Sequence, residues 1–458
     1  MILSELSAFN DLKRPKEDTM DGGAKDIGIL VVHGIGEQKR VETVTSVVSN
    51  FYRSLKTLGV GNITRDIRPD NQSQPANLLF SHKGTSYVIR FYEAYWADLD
   101  QPYNFLRWLK LILWALTIWV RHYYDPPPAG MRTISVGKFR IALTRIGLFF
   151  LSILFLILLS TLRVLNQVIV VVFKKQLPLG QTLYNFLGDV QLFVSEDVRF
   201  DTLETLDRRS RYAIRTRLWN VLARANLDPV QELYILTHSL GTVIAFNALM
   251  ETAATIPGYI DDRELRAKLQ EKGFIDAQNK ADRGKFLSKV SALFTLGAPL
   301  DKFAAIWPRV IPVNLSNAGR EQNPIPWFNI HDILDVVGAN LNHFKNIPGF
   351  KEPTNIAWRD QFIFATAHTS YWKYNKKRGR FIDSFIEYVL DSTPIQQRKF
   401  QPPQNRHWLA WGSLFLLGFC GIVICVYLFT VLAMFVVSKS PLQMEISDIF
   451  QWIVSLLF

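Results

Sequence analysis

A serine sits among small residues in Thr237-His238-Ser239-Leu240-Gly241. A serine hydroxyl is a weak nucleophile until a base takes its proton and a fold presents it to a substrate. The flanking sequence supplies such a fold. Glu232-Leu-Tyr-Ile-Leu236 reads as a short buried strand, and the apolar run from Thr242 to Ala253 reads as a helix. Small residues two positions either side of the serine, between a strand and a helix, are what a nucleophile elbow needs. The turn is tight, and bulky neighbours there would meet the adjacent backbone. The helix then starts beside the serine with N–H groups that have no helical acceptor, and its dipole favours negative charge there. The N–H of Leu240 is thus placed to meet an oxyanion that develops on an attacked carbonyl. Gly241 satisfies the second small position, whereas Thr237 replaces the glycine of G-x-S-x-G with a small but β-branched residue.

Elements on both sides must hold this turn in place. Ile27-Gly-Ile-Leu-Val-Val32 is a continuous apolar run between turn residues, the pattern of a central parallel strand. A helix follows over Val41–Leu58, with Val44, Val47, Val48, Phe51 and Leu55 on one face, and then a strand over Tyr87–Tyr92. Beyond them come a helix over 203–224, strands at Val290–Leu296, Ile325–Ile330 and Gln361–Thr366, and a closing helix at Arg380–Leu390. Strand alternating with helix predicts an α/β fold, a mostly parallel sheet with helices on both faces. The helix over 203–224 carries Ile214, Leu218, Val221 and Leu222 on one face and six arginines: Arg208, Arg209, Arg211, Arg215, Arg217 and Arg224. With no base-stacking motif nearby, those cations read as a solvated face rather than a nucleic-acid patch.

On these motifs the chain resembles the α/β-hydrolase family, its lipase and esterase members in particular, across both polar blocks. In that family a His-Gly pair after an early central strand supplies an oxyanion donor. His33-Gly34-Ile35-Gly36 stands in that place here, so the resemblance assigns the second donor to the N–H of Ile35, with Gly34 as the alternative. A dinucleotide-binding loop is excluded because Lys39 occupies the position of the third glycine. The family order is serine, acid, histidine. After Ser239, Phe294-Thr-Leu-Gly-Ala-Pro299 is similar to the run before the acid strand of many lipases. Trp327-Phe-Asn-Ile-His331-Asp332-Ile-Leu-Asp335 follows, and Asp335 matches the acid position best, with Asp332 as the rival and Asp301 more distant. Of eight histidines, His368 lies after the serine in the loop before the final helix, where the family places its base. The resemblance therefore implies a Ser239, Asp335, His368 triad, with His33, Gly34, His238 and Gly241 as motif residues. No metal and no organic cofactor is implied.

Composition sets the context. The chain has 458 residues with a formal net charge of +12, and 20% charged against 48% hydrophobic residues. It has 32 Phe, 15 Tyr and 12 Trp, too aromatic for a disordered chain. Its two cysteines, Cys420 and Cys425, share one apolar run, which excludes a disulfide scaffold. Chargeless runs at Ile146–Leu162 and Trp408–Val437, and a third apolar run at Phe105–Val120 with Arg107 and Lys110 in its first turns, have the length of membrane spans or interfacial helices. The expected organisation is a hydrolase domain in two parts, 1–102 and 176–402. A membrane insertion at 103–175 interrupts it, and a transmembrane region at 403–458 follows it. The first 25 residues hold no apolar core of signal-peptide length, so the hydrolase domain is expected on the cytoplasmic side of the membrane. The expectation is a membrane-bound serine hydrolase that cleaves a lipid or other carboxylic ester, with membrane lipids as neighbours and no nucleic-acid partner. Thioester or amide cleavage by the same triad, and a non-catalytic membrane scaffold of the same fold, are the alternatives.

Overall fold

A computed structural model of the chain describes residues 24–34, 39–66, 76–99, 130–137, 139, 141–142, 146, 190, 193–194, 210–316, 322–332, 335, 337–358, 367–369, 371–372 and 381–395. The apolar runs 105–120 and 408–437, all but the first residue of 146–162, and the strand expected at 361–366 lie outside the described residues. Among the described residues no helix is long and apolar enough to cross a membrane.

The protein is α/β. In chain order its strands are β1 (Lys25–Val32), β2 (Thr64–Asp66), β3 (Ala76–His82), β4 (Thr85–Ala94), β5 (Met131–Arg132), β6 (Glu232–His238), β7 (Val290–Leu296), β8 (Val313–Asn314), β9 (Trp327–Asp332) and β10 (Thr354–Trp358). Eight of them form one sheet in the order β10-β9-β7-β6-β1-β4-β3-β2. From β10 to β4 every neighbour is parallel, while β3 runs antiparallel to both β4 and β2. β1 pairs with β6 through Ile27↔Glu232 to Val32↔Thr237, so sequence on both sides of the long apolar region builds a single sheet. β5 and β8 form a separate antiparallel pair.

The helices are α1 (Glu42–Thr57), α2 (Ser210–Leu227), α3 (Leu240–Leu249), α4 (Arg263–Glu271), α5 (Arg283–Leu287), α6 (Leu300–Ile306) and α7 (Phe381–Asp391). The period-two alternation of strand side chains sorts them into two cores. Ile27, Ile29 and Val31 of β1 pack with α1 and α7, while Leu30 and Val32 pack with α2 and α3. α1 buries Val44, Val47, Val48, Phe51 and Leu55, the stripe expected from its 3.6-residue period. Each such side chain contributes roughly 1.5–3 kcal/mol on burial. Phe294 of β7 sits at the centre of the core that packs α1 and α7. Its ring lies 4.9 Å from Phe385, 5.0 Å from Phe328 and 5.7 Å from Tyr388, which locks α7 onto β7 and β9. That packing fixes the strand ends from which the candidate site is built.

Of the arginines expected on a solvated face, Arg208 and Arg209 lie outside the described residues, Arg217 is exposed, Arg224 is half-buried, and Arg211 and Arg215 are covered. Arg211 is buried and donates to the carbonyls of Phe193 and Val194 at 2.7 and 3.0 Å. Arg215 pairs with the buried Glu251, Arg217 with Asp98 and Arg224 with Asp262. They tie α2 to neighbouring segments, and a guanidinium suits this because its planar fork reaches several acceptors at once.

Candidate active site

β6 ends at His238, and the chain turns sharply at Ser239, which has φ 52° and ψ −130°. A positive φ on a non-glycine residue costs on the order of 1–3 kcal/mol and persists only where the surroundings enforce it. They do so here. The Ser239 N–H donates to the Leu296 carbonyl at 3.0 Å, extending the β6–β7 ladder past the strand end. The Ser239 carbonyl accepts from the Thr242 N–H at 2.9 Å and the Thr242 hydroxyl at 2.7 Å. Two glycines allow the close approach. A Cβ on Gly34 would lie 2.7 Å from Ser239 Cβ, and one on Gly241 would lie 2.6 Å from the Val32 carbonyl oxygen. Thr237 is accommodated within the sheet at the end of β6. It is fully buried, and its hydroxyl donates to the Phe294 carbonyl at 2.8 Å. The β-branched side chain therefore lies along β7 rather than in the elbow. α3 starts at Leu240, so the Leu240 N–H belongs to the first turn, whose donors have no helical acceptor.

Ser239 Oγ is 2.7 Å from His368 Nε2. The other ring nitrogen, Nδ1, is 2.9 and 3.0 Å from the two carboxylate oxygens of Asp335. The structure thus brings together three residues from three segments: the β6–α3 turn, the loop after β9, and the segment after β10. Asp335 lies three residues past the end of β9. With both His368 nitrogens taken, Asp332 meets this network through its backbone, whose N–H donates to the Tyr371 hydroxyl at 2.9 Å. Asp301 stands in the first turn of α6.

The carboxylate of Asp335 is fully covered and well supplied with donors. Oδ1 accepts from the N–H groups of Val337 and Gly338 at 2.8 and 2.9 Å, and Oδ2 accepts from the Tyr371 hydroxyl at 2.6 Å. Burial alone would push this carboxyl up. The hydrogen bond and charge of His368, with the Tyr371 hydroxyl and the Gly338 N–H, more than offset it and hold the group well below the usual carboxylate range. Two glycines make the room. A Cβ on Gly297, which has φ 56°, would lie 2.7 Å from Asp335 Oδ2 and 3.1 Å from His368 Nδ1, and one on Gly338 would lie 2.8 Å from Asp335 Oδ2.

His238 and His33 flank the centre as neutral rings. Burial first, then the neighbouring His368, push His238 down to about 3. Its Nε2 lies 2.6 Å from the His368 carbonyl oxygen, an acceptor, so Nε2 carries the proton and holds the segment that bears the candidate base. Burial pushes His33 down to about 4. Its Nε2 accepts from the Trp96 N–H at 3.2 Å, and its Nδ1 therefore donates to the Gly34 carbonyl at 2.8 Å. The rings of His33 and Trp96 stack at 5.1 Å. At the other end of the same loop, the Val41 N–H donates to Glu93 at 2.6 Å from a left-handed backbone with φ 68°. The end of β4 and the residues just after it thus hold both His33 and Val41. Ile35, the expected second oxyanion donor, lies outside the described residues.

Tyr371, Gly297, Gly338, Trp96 and Glu93 belong to this construction, and none was singled out by sequence reasoning. Gly297 lies inside the Phe294–Pro299 run that marked the acid strand, and a glycine at a strand end is a signal for close approach. The others carry no signal of their own. Comparison of the chain with protein-family models, with curated proteins and with solved structures gives no match. Among the described residues no group of histidine, cysteine and carboxylate side chains is arranged to hold a metal ion.

Proposed function

We propose that this chain is a membrane-bound serine hydrolase of the α/β-hydrolase fold that cleaves a carboxylic ester, with a lipid as the substrate class. The observation that carries this is the continuous chain of hydrogen bonds from Ser239 Oγ through His368 to Asp335, anchored on a strained turn at a helix start. Such a constellation is recognised by geometry and roles rather than by sequence position.

The chemistry follows from the distances. His368 Nε2 takes the proton of Ser239 as Oγ attacks the acyl carbonyl. Asp335, held as a carboxylate by its four donors, fixes the Nδ1–H tautomer and stabilises the imidazolium that forms. The carbonyl oxygen becomes an oxyanion and meets the Leu240 N–H, with the N–H of Ile35, or alternatively of Gly34, as the second donor. Collapse of the intermediate expels the alcohol, which takes the proton from His368. Water, deprotonated by the same ring, then releases the acid and restores the serine. Lipid as the substrate class rests on the apolar runs at 105–120, 146–162 and 408–437, which would hold the domain at a bilayer surface.

The test is hydrolysis of a series of acyl esters by the full chain in native membranes. Ser239→Ala is expected to lower kcat/KM by about 10⁴-fold or more while leaving protein level unchanged. Equal hydrolysis by the two proteins would overturn the assignment.

A further inference from the structure

Asp335 is held by more than the base it orients. The Tyr371 hydroxyl is the shortest of its partners, donating to Oδ2 at 2.6 Å while accepting from the Asp332 N–H at 2.9 Å. Because an ionised carboxylate can only accept, the phenol donates toward the acid while it accepts from the last residue of β9. Its role is therefore set by the acid and the end of β9 together. The ring is 5% exposed and packs 5.8 Å from His238, and Gly297 leaves the space its edge needs.

We propose that Tyr371 is a positioning residue that sets how strongly Asp335 polarises His368. This rests on the serine-hydrolase assignment. The carboxylate divides its negative charge among its donors. His368 Nδ1 contacts both oxygens, and Tyr371 draws charge from the same Oδ2 that lies 2.9 Å from the imidazole. A donor that competes for a carboxylate makes it a weaker partner for the ring, so the ring holds its proton less tightly. The phenol thereby shares the carboxylate with the imidazole and limits the hold of the acid on the ring. It also joins Asp332 to the reaction indirectly: the rival acid acts on the site through a backbone N–H and a phenol.

Among the described residues the other charged and titratable groups around the pair are few. His238 faces the His368 ring at 4.9 Å and is neutral. His33 lies beyond it and is also neutral. From β9 come Asp332 and His331, the latter pushed down by burial. From α6, Lys302 donates to the Val337 and Gly338 carbonyls at 2.7 and 3.4 Å, bracing the loop that follows the acid. None of these supplies a second side-chain hydroxyl to Asp335 among the described residues.

The experiment follows the rate of inactivation by a fluorophosphonate probe against pH, with the full chain in native membranes. Tyr371→Phe removes the donor, and the acid limb is expected to move up by roughly half to one pH unit, the order of one neutral hydrogen bond. Replacing Tyr371 by a ring-fluorinated tyrosine, a stronger donor of nearly the same shape, is expected to move the limb down. It decides the matter alone if Tyr371→Phe does not fold. Lower rates with the limb unmoved in the fluorinated variant would overturn the proposal and leave a packing role. No reaction of the unmodified chain at any pH would overturn the hydrolase assignment itself, a different result from an unmoved limb.

Discussion

The two halves of the candidate site are built on different principles. The nucleophile half is backbone. Ser239 is held at a positive φ by main-chain hydrogen bonds and by Gly34 and Gly241, which let β1 and the elbow touch. The acid–base half is side chain. Asp335, His368 and Tyr371 come from loops beyond the sheet and are held by one another, with Gly297 and Gly338 leaving space for them. A strained turn gives a position that does not adjust, which suits an atom that must attack along one line. A hydrogen-bonded cluster gives an adjustable proton affinity, which suits the group that must bind and release a proton. The two halves should therefore fail in different ways.

The largest difference is expected at the acid. Asp335→Asn keeps the shape but not the charge or tautomer control, and should lower kcat by about 10⁴-fold. Asp332→Asn should stay within a few-fold in the same ester assay, because its link to the cluster is a backbone N–H. Comparable losses from both would erase the distinction between the two aspartates.

Next comes the elbow. Gly241→Ala forces a methyl against the Val32 and His33 carbonyls and should lower stability by about 3 kcal/mol, an overpacking cost set in backbone that cannot yield. Here the unfolding midpoint should fall together with activity. A fully stable Gly241→Ala protein that has merely lost rate would mean the elbow is not held by close packing.

The smallest effect concerns the two flanking histidines. His33 and His238 are pushed down to about 4 and 3 in the folded chain, whereas in the unfolded chain they titrate near 6.5. Below pH 6.5 the unfolded state binds protons first, so these rings lower stability as pH falls from about 6.5 toward 4. The depressed Asp335 acts in a separate window, giving stability above the unfolded carboxylate pKa that is lost only at lower pH. The thermal midpoint should thus drop between pH 7 and pH 5, with a shallower slope in His238→Gln. A flat profile over that range would mean the rings are not neutral in the folded chain.

The difference between the halves also explains what could be read in advance. Backbone-determined features leave local marks. β1, α1, β6, β7 and α7 all lie within a few residues of the segments expected from apolar periodicity, and the elbow was legible from five residues in a row. Asp335 and His368 were narrowed down by order and loop position. Features that depend on distant partners left no mark. β3 (Ala76–His82) buries only one face, through Ala76, Leu78 and Phe80, and the five-residue β10 (Thr354–Trp358) buries Ile356, so neither has the continuous apolar run of β1 or β6. Arg211 resembles any surface arginine until the carbonyls of Phe193 and Val194 are placed beside it. Tyr371 is one of 15 tyrosines, and only the fold reveals that its hydroxyl meets the acid.

The most direct test of the central claim is to label the full chain in native membranes with a fluorophosphonate probe and locate the adduct by peptide mass spectrometry. A single adduct on Ser239, absent from His368→Ala, is the result expected if the three side chains work as one unit. An unlabelled chain, or an adduct on another residue with Ser239 untouched, would contradict the account.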